Sequence, residues 1–291
     1  MDIIQQIFLE PLNWAFMQRA LVAAVLIGIV SGVMGAYVVT RGLAFLGDAL
    51  AHSILPGVAI AFLTTGSSGA SLLFGGLAAG VLSALGIGFL TRGGRMAEDT
   101  AIGIVFAGML ALGIGLISRA QNYAVDLTHV LIGNILAVGA DDLNLILVIG
   151  LLILVVVVLL YKELLVVSFD PVLAQTLLLP GETLRLILLV LLAITIVIGV
   201  QVAGVALVAA MLVTPAATAR FWVKRMHHLM LVAAGLGAIS GVVGLYLAWH
   251  LEIAASAAIV LTMTALFGVA FFLTPGKGYL WSLLRRSAHT A

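Results

Sequence analysis

The sequence contains no cysteine, which removes disulfides, thiolate metal sites and cysteine nucleophiles from consideration. Charge is also scarce. Asp, Glu, Lys and Arg make up 9% of the 291 residues, whereas a soluble domain needs roughly a quarter of its residues charged to clothe its surface. The formal net charge is +1, so no excess of positive charge points to a nucleic-acid partner. There is no GxxxxGK[ST] phosphate loop, so the chain does not hydrolyse ATP by that route. There is no HExxH either, which argues against a membrane zinc protease.

What fills the sequence instead is apolar: 64% of the residues are hydrophobic. Apolar runs recur near 20–40, 44–65, 70–90, 101–118, 143–160, 184–202, 203–219, 229–249 and 254–274. Each is close to the roughly 20 residues that carry a helix across a bilayer core. Runs such as LLILVVVVLL at 151–160 do not alternate apolar with polar residues, as the strands of a membrane barrel do. The expected fold class is therefore all-α: a polytopic transmembrane helical bundle of eight or nine spans forming one domain over residues 1–291. The N-terminal MDIIQQIFLEPLNWAF carries two acids and no base. It reads as an interfacial helix over 1–16, with Trp14 and Phe16 at the headgroup level, and not as a signal peptide.

Basic residues set the orientation. If the first span enters from outside, Arg41, Arg92, Arg95, Lys162, Arg185, Arg220, Lys224, Arg225, Lys277, Arg285 and Arg286 lie on the cytoplasmic side. Only Arg19 and Arg119 then lie outside. The 34 residues between Arg185 and Arg220 would make about 51 Å of helix, long for one span and short for two. Basic residues at both ends favour a tight helical hairpin broken near Gly199, Gln201 and Gly204. The segment VLIGNILAVGA at 130–140 is too short to cross and is expected to be re-entrant or to lie at the outer interface. GIVSGVMGAY at 28–37 and GAISGVVGLY at 237–246 agree at six of ten positions and would run in opposite directions, as an inverted repeat requires.

Two hydrophilic segments face the cytoplasm in this topology, TRGGRMAEDT at 91–100 and the stretch 161–185. In the second, Asp170-Pro171 has the form of a helix start and Pro180-Gly181 closes the helix. A short helix held there between two spans is a natural docking element.

Charged residues inside spans are costly and usually functional. The clear instance is RGLAFLGDALAHSILPG at 41–57, where Asp48 and His52 stand four apart. On a helix they share a face about 5–6 Å apart at Cβ. A carboxylate and an imidazole at that spacing can contact one divalent cation, and Pro56, lacking an N–H, frees the His52 carbonyl as a further ligand. Spacing alone leaves a second reading open, in which Asp48 caps a helix and His52 bonds a neighbour. Asp126, His129, Asp141 and Asp142 fall in outer loops as a solvated surface or a collecting rim for cations. His250 and Glu252 beside Trp249 read as an ordinary interface, and His227-His228 as part of a basic loop. Pro215 frees the Met211 carbonyl and predicts a kink or a gate. The glycine-aspartate at 47–48 matches a feature of intramembrane aspartyl proteases, but no second aspartate lies at membrane depth.

Five ordered segments carry a family resemblance: 41–62, EDTAIGIVFAGMLALGIGLIS at 98–118, DLTHVLIGNILAV at 126–138, SFDPVLAQTLLLP at 168–180 and GVALVAAMLVTPAATAR at 204–220. In them the chain resembles the manganese/zinc/iron (metal-chelate) permeases of ABC transporters, departing where HLEIAASAAIV at 250–260 lacks the Pro and Gly frequent in the family's last external turn. The resemblance implies a type II ABC importer-like permease in the cytoplasmic membrane of a prokaryote, working as a homodimer. It implies a cytoplasmic ATP-binding subunit as partner, where ATP is hydrolysed, and an extracytoplasmic metal-binding protein that delivers Mn2+ or Zn2+ as cargo. No cofactor is expected on the chain itself. Asp48 and His52 match the family's positions beside the pathway. Ser168, Phe169, Asp170, Pro171, Ala174 and Gln175 fall in the segment expected to couple to the ATPase. The rival readings are an ATP-independent carrier or channel for divalent cations, and a permease homologue acting as sensor or scaffold.

Overall fold

A computed structural model describes residues 10–65, 69–118 and 133–274. Among them are twelve α-helices and no strand: α1 Ala15–Thr40, α2 Ala44–Ser53, α3 Leu55–Thr65, α4 Gly69–Thr91, α5 Glu98–Ile117, α6 Ala140–Leu159, α7 Tyr161–Phe169, α8 Pro171–Thr176, α9 Gly181–Ala203, α10 Val205–Trp222, α11 Met226–Leu251 and α12 Ala255–Leu273. Nine helical stretches among the described residues are long and apolar enough to cross a membrane, with α2 and α3 together forming one of them. If successive stretches cross in alternating directions, the basic ends of α1, α4, α9 and α10 fall on one side, as the charge bias requires.

The region that was hardest to divide by length resolves into two crossings. Helix α9 begins four residues before Arg185 and α10 ends two residues after Arg220, so both arginines lie inside helical turns. One residue separates the helices. Gly204 has φ 84° and ψ 163°, a region essentially closed to residues with a Cβ. The chain reverses there, and the Val208 side chain takes the space where Gly199 would carry a Cβ. Helix α10 runs on through Pro215.

The chain divides into two compact units, residues 1–39, 135–144 and 210–291 in the first and 40–134 and 145–209 in the second. In the first unit α1 and α11 cross at Gly28 and Gly237, where a Cβ on either would meet the other's backbone. On either side of that point Gly32 abuts Ala233 and Gly241 abuts Ala24. Positions 28 and 237 are equivalent in the six-of-ten match, and the flanking contacts exchange under the same equivalence. The crossing is therefore a local two-fold built from small residues, the usual means of bringing membrane helices close. At one end of this unit Phe16 lies 6.1 Å from Trp14 and 6.2 Å from Trp249, ring centre to ring centre, consistent with an interfacial cluster. Of the expected helix over 1–16, only residues from 10 onward are described, as a 3-10 turn at Pro11–Asn13 leading into α1.

In the second unit α3 packs on α4 through Gly57 and Gly75, each of which would drive a Cβ into the other's carbonyl. Helix α4 also meets α9, with Val197 against Gly80 and Leu186 against Gly88. Helix α5 packs across the α2–α3 break, where Leu55 lies close to Gly113. The described part of 130–140 is no span: Gly133 sits at the Gly204 turn, and a single 3-10 turn follows at Ile135–Ala137.

Candidate metal pathway and cytoplasmic docking segment

The span at 44–65 is broken in its middle because Pro56 has no N–H to continue the α2 ladder. The break leaves Asp48 and His52 on the last two turns of α2. Asp48 Oδ1 stands 3.7 Å from His52 Nε2, and the two side chains keep 46% and 30% of their surface exposed, respectively. At that distance they form a loose pair and no hydrogen bond. Asp48 lies in the second turn of α2 and does not cap it. The His52 carbonyl accepts the Ile54 N–H at the helix end.

A residue that spacing could not reveal completes the surroundings. The Phe106 ring of α5 meets His52 edge to face at 6.1 Å and Phe45 at 5.7 Å. One side of the pair is thus walled by α5 while the other stays accessible.

The remaining candidates for metal contact lie on other elements of the chain. Asp141 and Asp142 occupy the first turn of α6, where the Asp142 carboxylate accepts the Gly139 N–H at 3.0 Å and negative charge suits the helix dipole. Asp126 and His129 lie outside the described residues. Among the described residues no three His, Asp or Glu side chains converge on a common point. His250 Nδ1 donates to the Tyr246 carbonyl, 2.8 Å away, in keeping with a plain interface.

The cytoplasmic stretch 161–185 holds two short helices. Asp170 caps α8 by accepting the Leu173 N–H at 2.9 Å, and Pro171 occupies the first helical position. Ala174 is buried and lines, with Gln175, a cavity of about 480 Å³ bordered by Arg41, Glu98, Glu182 and Arg185. The Ser168 hydroxyl is also buried. The outward face is apolar instead: Phe169, Val172, Leu173, Leu177 and Leu178 are exposed, Leu178 by 91% and with a left-handed φ of 54°. Of the six residues expected to couple to a partner, Phe169 shares this face, while Ser168 and Ala174 support it from behind. The four further residues of the face could have been found by noting that leucine and valine on a loop between spans have neither lipid nor core to cover them.

A family model described as the ABC 3 transport family matches residues 13–274. The chain is 42% identical over 273 residues to the "Manganese transport system membrane protein MntC" of Halalkalibacterium halodurans, covering 94% of this chain and 92% of that one. It is 39% identical over 276 residues to the "Manganese import system permease protein ScaB" of Streptococcus gordonii, covering 94% and 98%. Among solved structures, one titled "PsaBC from Streptococcus pneumoniae in complex with Fab" superposes with a TM-score of 0.82 at 36% identity, over 96% of this chain and 99% of that one. The chain is an integral membrane protein, a transport subunit and not an enzyme, and it belongs to the ABC 3 transport family.

Proposed function

We propose that the chain, acting as one permease domain, is the membrane-spanning subunit of an ATP-driven importer that moves divalent metal ions, manganese first, across the cytoplasmic membrane of a prokaryote. The observation that carries this reading is the Asp48–His52 pair. It is half-exposed, loosely held and placed inside a broken span, where an apolar chain bears an ionisable pair only at a cost. Two ligands are too few to hold an ion for long, which suits a site that must also release it. A second copy of the chain would present the same pair again, giving two carboxylates and two imidazoles, with water completing the shell of a hard cation. Imidazole ligands favour zinc over manganese on affinity. The names of the relatives recommend manganese, whose selection would then rest on geometry and on delivery by an extracytoplasmic metal-binding protein.

ATP would be hydrolysed in a separate cytoplasmic subunit docked on the apolar face of 169–178. An exposed surface of this kind outside the lipid marks a protein contact. An ATP-independent carrier has no use for such a face. Reconstitution with the candidate ATPase and binding protein tests the reading: radiolabelled manganese should accumulate only with ATP. Accumulation without any ATPase would replace the importer with a secondary carrier.

A further inference from the structure

Four charged residues on the cytoplasmic side of the second unit belong neither to the metal pair nor to the docking face. Arg41 Nη2 donates to both oxygens of Glu98, at 2.8 and 3.1 Å. Arg185 Nη2 donates to Glu182 at 2.9 Å and to the Gly88 carbonyl at 3.2 Å. Glu182 in turn accepts the Gly93 N–H at 3.3 Å. The two pairs nearly merge: Arg185 Nη1 stands 3.8 Å from Glu98, within ion-pair range and beyond hydrogen-bonding range.

The placement of these residues in the chain gives the cluster its meaning. Glu182 and Arg185 lie in the first turns of α9, directly after α8 and the docking face. Glu98 is the first residue of α5, the helix whose Phe106 meets His52. Arg41 comes three residues before α2, which bears Asp48 and His52 themselves. We propose that Arg41, Glu98, Arg185 and Glu182 form a positioning relay that carries movement of the docking segment to the two helices around the metal pair. The inference rests on the ATP-driven reading above.

The physical basis is burial. The side chains of Arg41, Arg185 and Glu98 are 11%, 14% and 21% exposed, so a charge pulled away from its partner is poorly compensated by water. When the start of α9 moves, Arg185 must either keep Glu182 and the Gly88 carbonyl of α4 or close the gap to Glu98. These are two discrete arrangements of the kind that carry coupling between sites. Glu98 is already bound to Arg41, so closing that gap shifts α5 and the entry to α2 together. Arg41 Nη1 is buried without a hydrogen-bond partner, leaving a donor available for the second arrangement. The cavity of about 480 Å³ between this cluster and α8 supplies room for the movement.

The test uses the full complex in vesicles, with manganese as the ion, and reads manganese imported per ATP hydrolysed. In Arg41→Gln, Glu98 retains Arg185 nearby, so the complex should assemble and hydrolyse ATP at close to the wild-type rate. Manganese per ATP should fall about fivefold or more, the scale of a lost coupling between sites, and Arg41→Lys should recover most of it. In the cysteine-free chain, Ala44→Cys at the start of α2 should change its thiol-labelling rate on ATP-vanadate addition, and Arg41→Gln should abolish that change. A ratio equal to wild type, or uptake and hydrolysis falling in proportion, overturns the relay. Should Arg41→Gln fail to assemble, Arg185→Gln decides by the same ratio, since Glu98 keeps Arg41 there. A wild-type complex that imports without ATP removes the importer reading and the relay with it. An altered ratio in the variants alone separates the two.

Discussion

Two clusters of charge in the second unit make a useful contrast. Asp48 and His52 lie on one helix, 3.7 Å apart and half-exposed. Arg41, Glu98 and Arg185 come from three separate helix ends, are largely buried, and include contacts as short as 2.8 Å. In a chain with so few charges, neither cluster is incidental. The buried one pairs its members with each other and with backbone groups, apart from the buried Arg41 Nη1. The exposed one leaves its carboxylate and imidazole unsatisfied, so they remain available to a third party. How completely a charge is partnered, more than its presence in an apolar region, tells a buried charge network from a candidate site for cargo.

The largest way to break the contrast is Glu98→Gln. It leaves two largely buried guanidiniums side by side without their shared carboxylate. The expected loss is about 3 kcal/mol of stability, at the low end for a broken buried pair because some exposure remains. The yield and thermal unfolding of the detergent-solubilised chain would report it. Asp48→Ala should do the reverse. As a loose, half-exposed pair it contributes within about 0.5 kcal/mol of stability, while manganese uptake should fall about tenfold or more, equivalent to about 1.4 kcal/mol or more. If Asp48→Ala proved the more destabilising of the two, the distinction would collapse. Asp170→Ala sharpens the picture at smaller scale. Removing the α8 cap should cost about 1 kcal/mol, seen as faster amide hydrogen exchange confined to 170–178, with the Asp48–His52 region unaffected.

Much of the fold was legible because lipid imposes a length. Nine apolar runs, read as eight or nine spans, match the nine candidate crossings among the described residues to within a few residues, and the one-residue glycine break fell at a position already suspect. Counting between Arg185 and Arg220 gave an ambiguous span number because it assumed that arginine marks a helix end. Both arginines lie within helices, Arg185 donating to the Gly88 carbonyl at 3.2 Å and Arg220 to the Val39 carbonyl at 3.3 Å.

The candidate site was legible only along one helix. Asp48 and His52 follow from four-residue spacing, whereas Phe106 and the Arg41–Glu98–Arg185 cluster depend on which faces of separate helices meet. Hydropathy does not encode that choice here, because protein-facing and lipid-facing sides are both apolar. The docking segment failed differently. Its start, Asp170-Pro171, was readable from capping chemistry, but Ser168 and Ala174 turn inward while Leu173, Leu177 and Leu178 are exposed, contrary to the usual assumption for a loop.

The most direct test of the central claim is ATP-dependent manganese uptake by the reconstituted complex carrying Asp48→Ala/His52→Ala. The account predicts that the complex assembles, that its ATPase subunit still hydrolyses ATP, and that uptake is lost. Normal uptake in the double variant would contradict it and move the metal path away from α2.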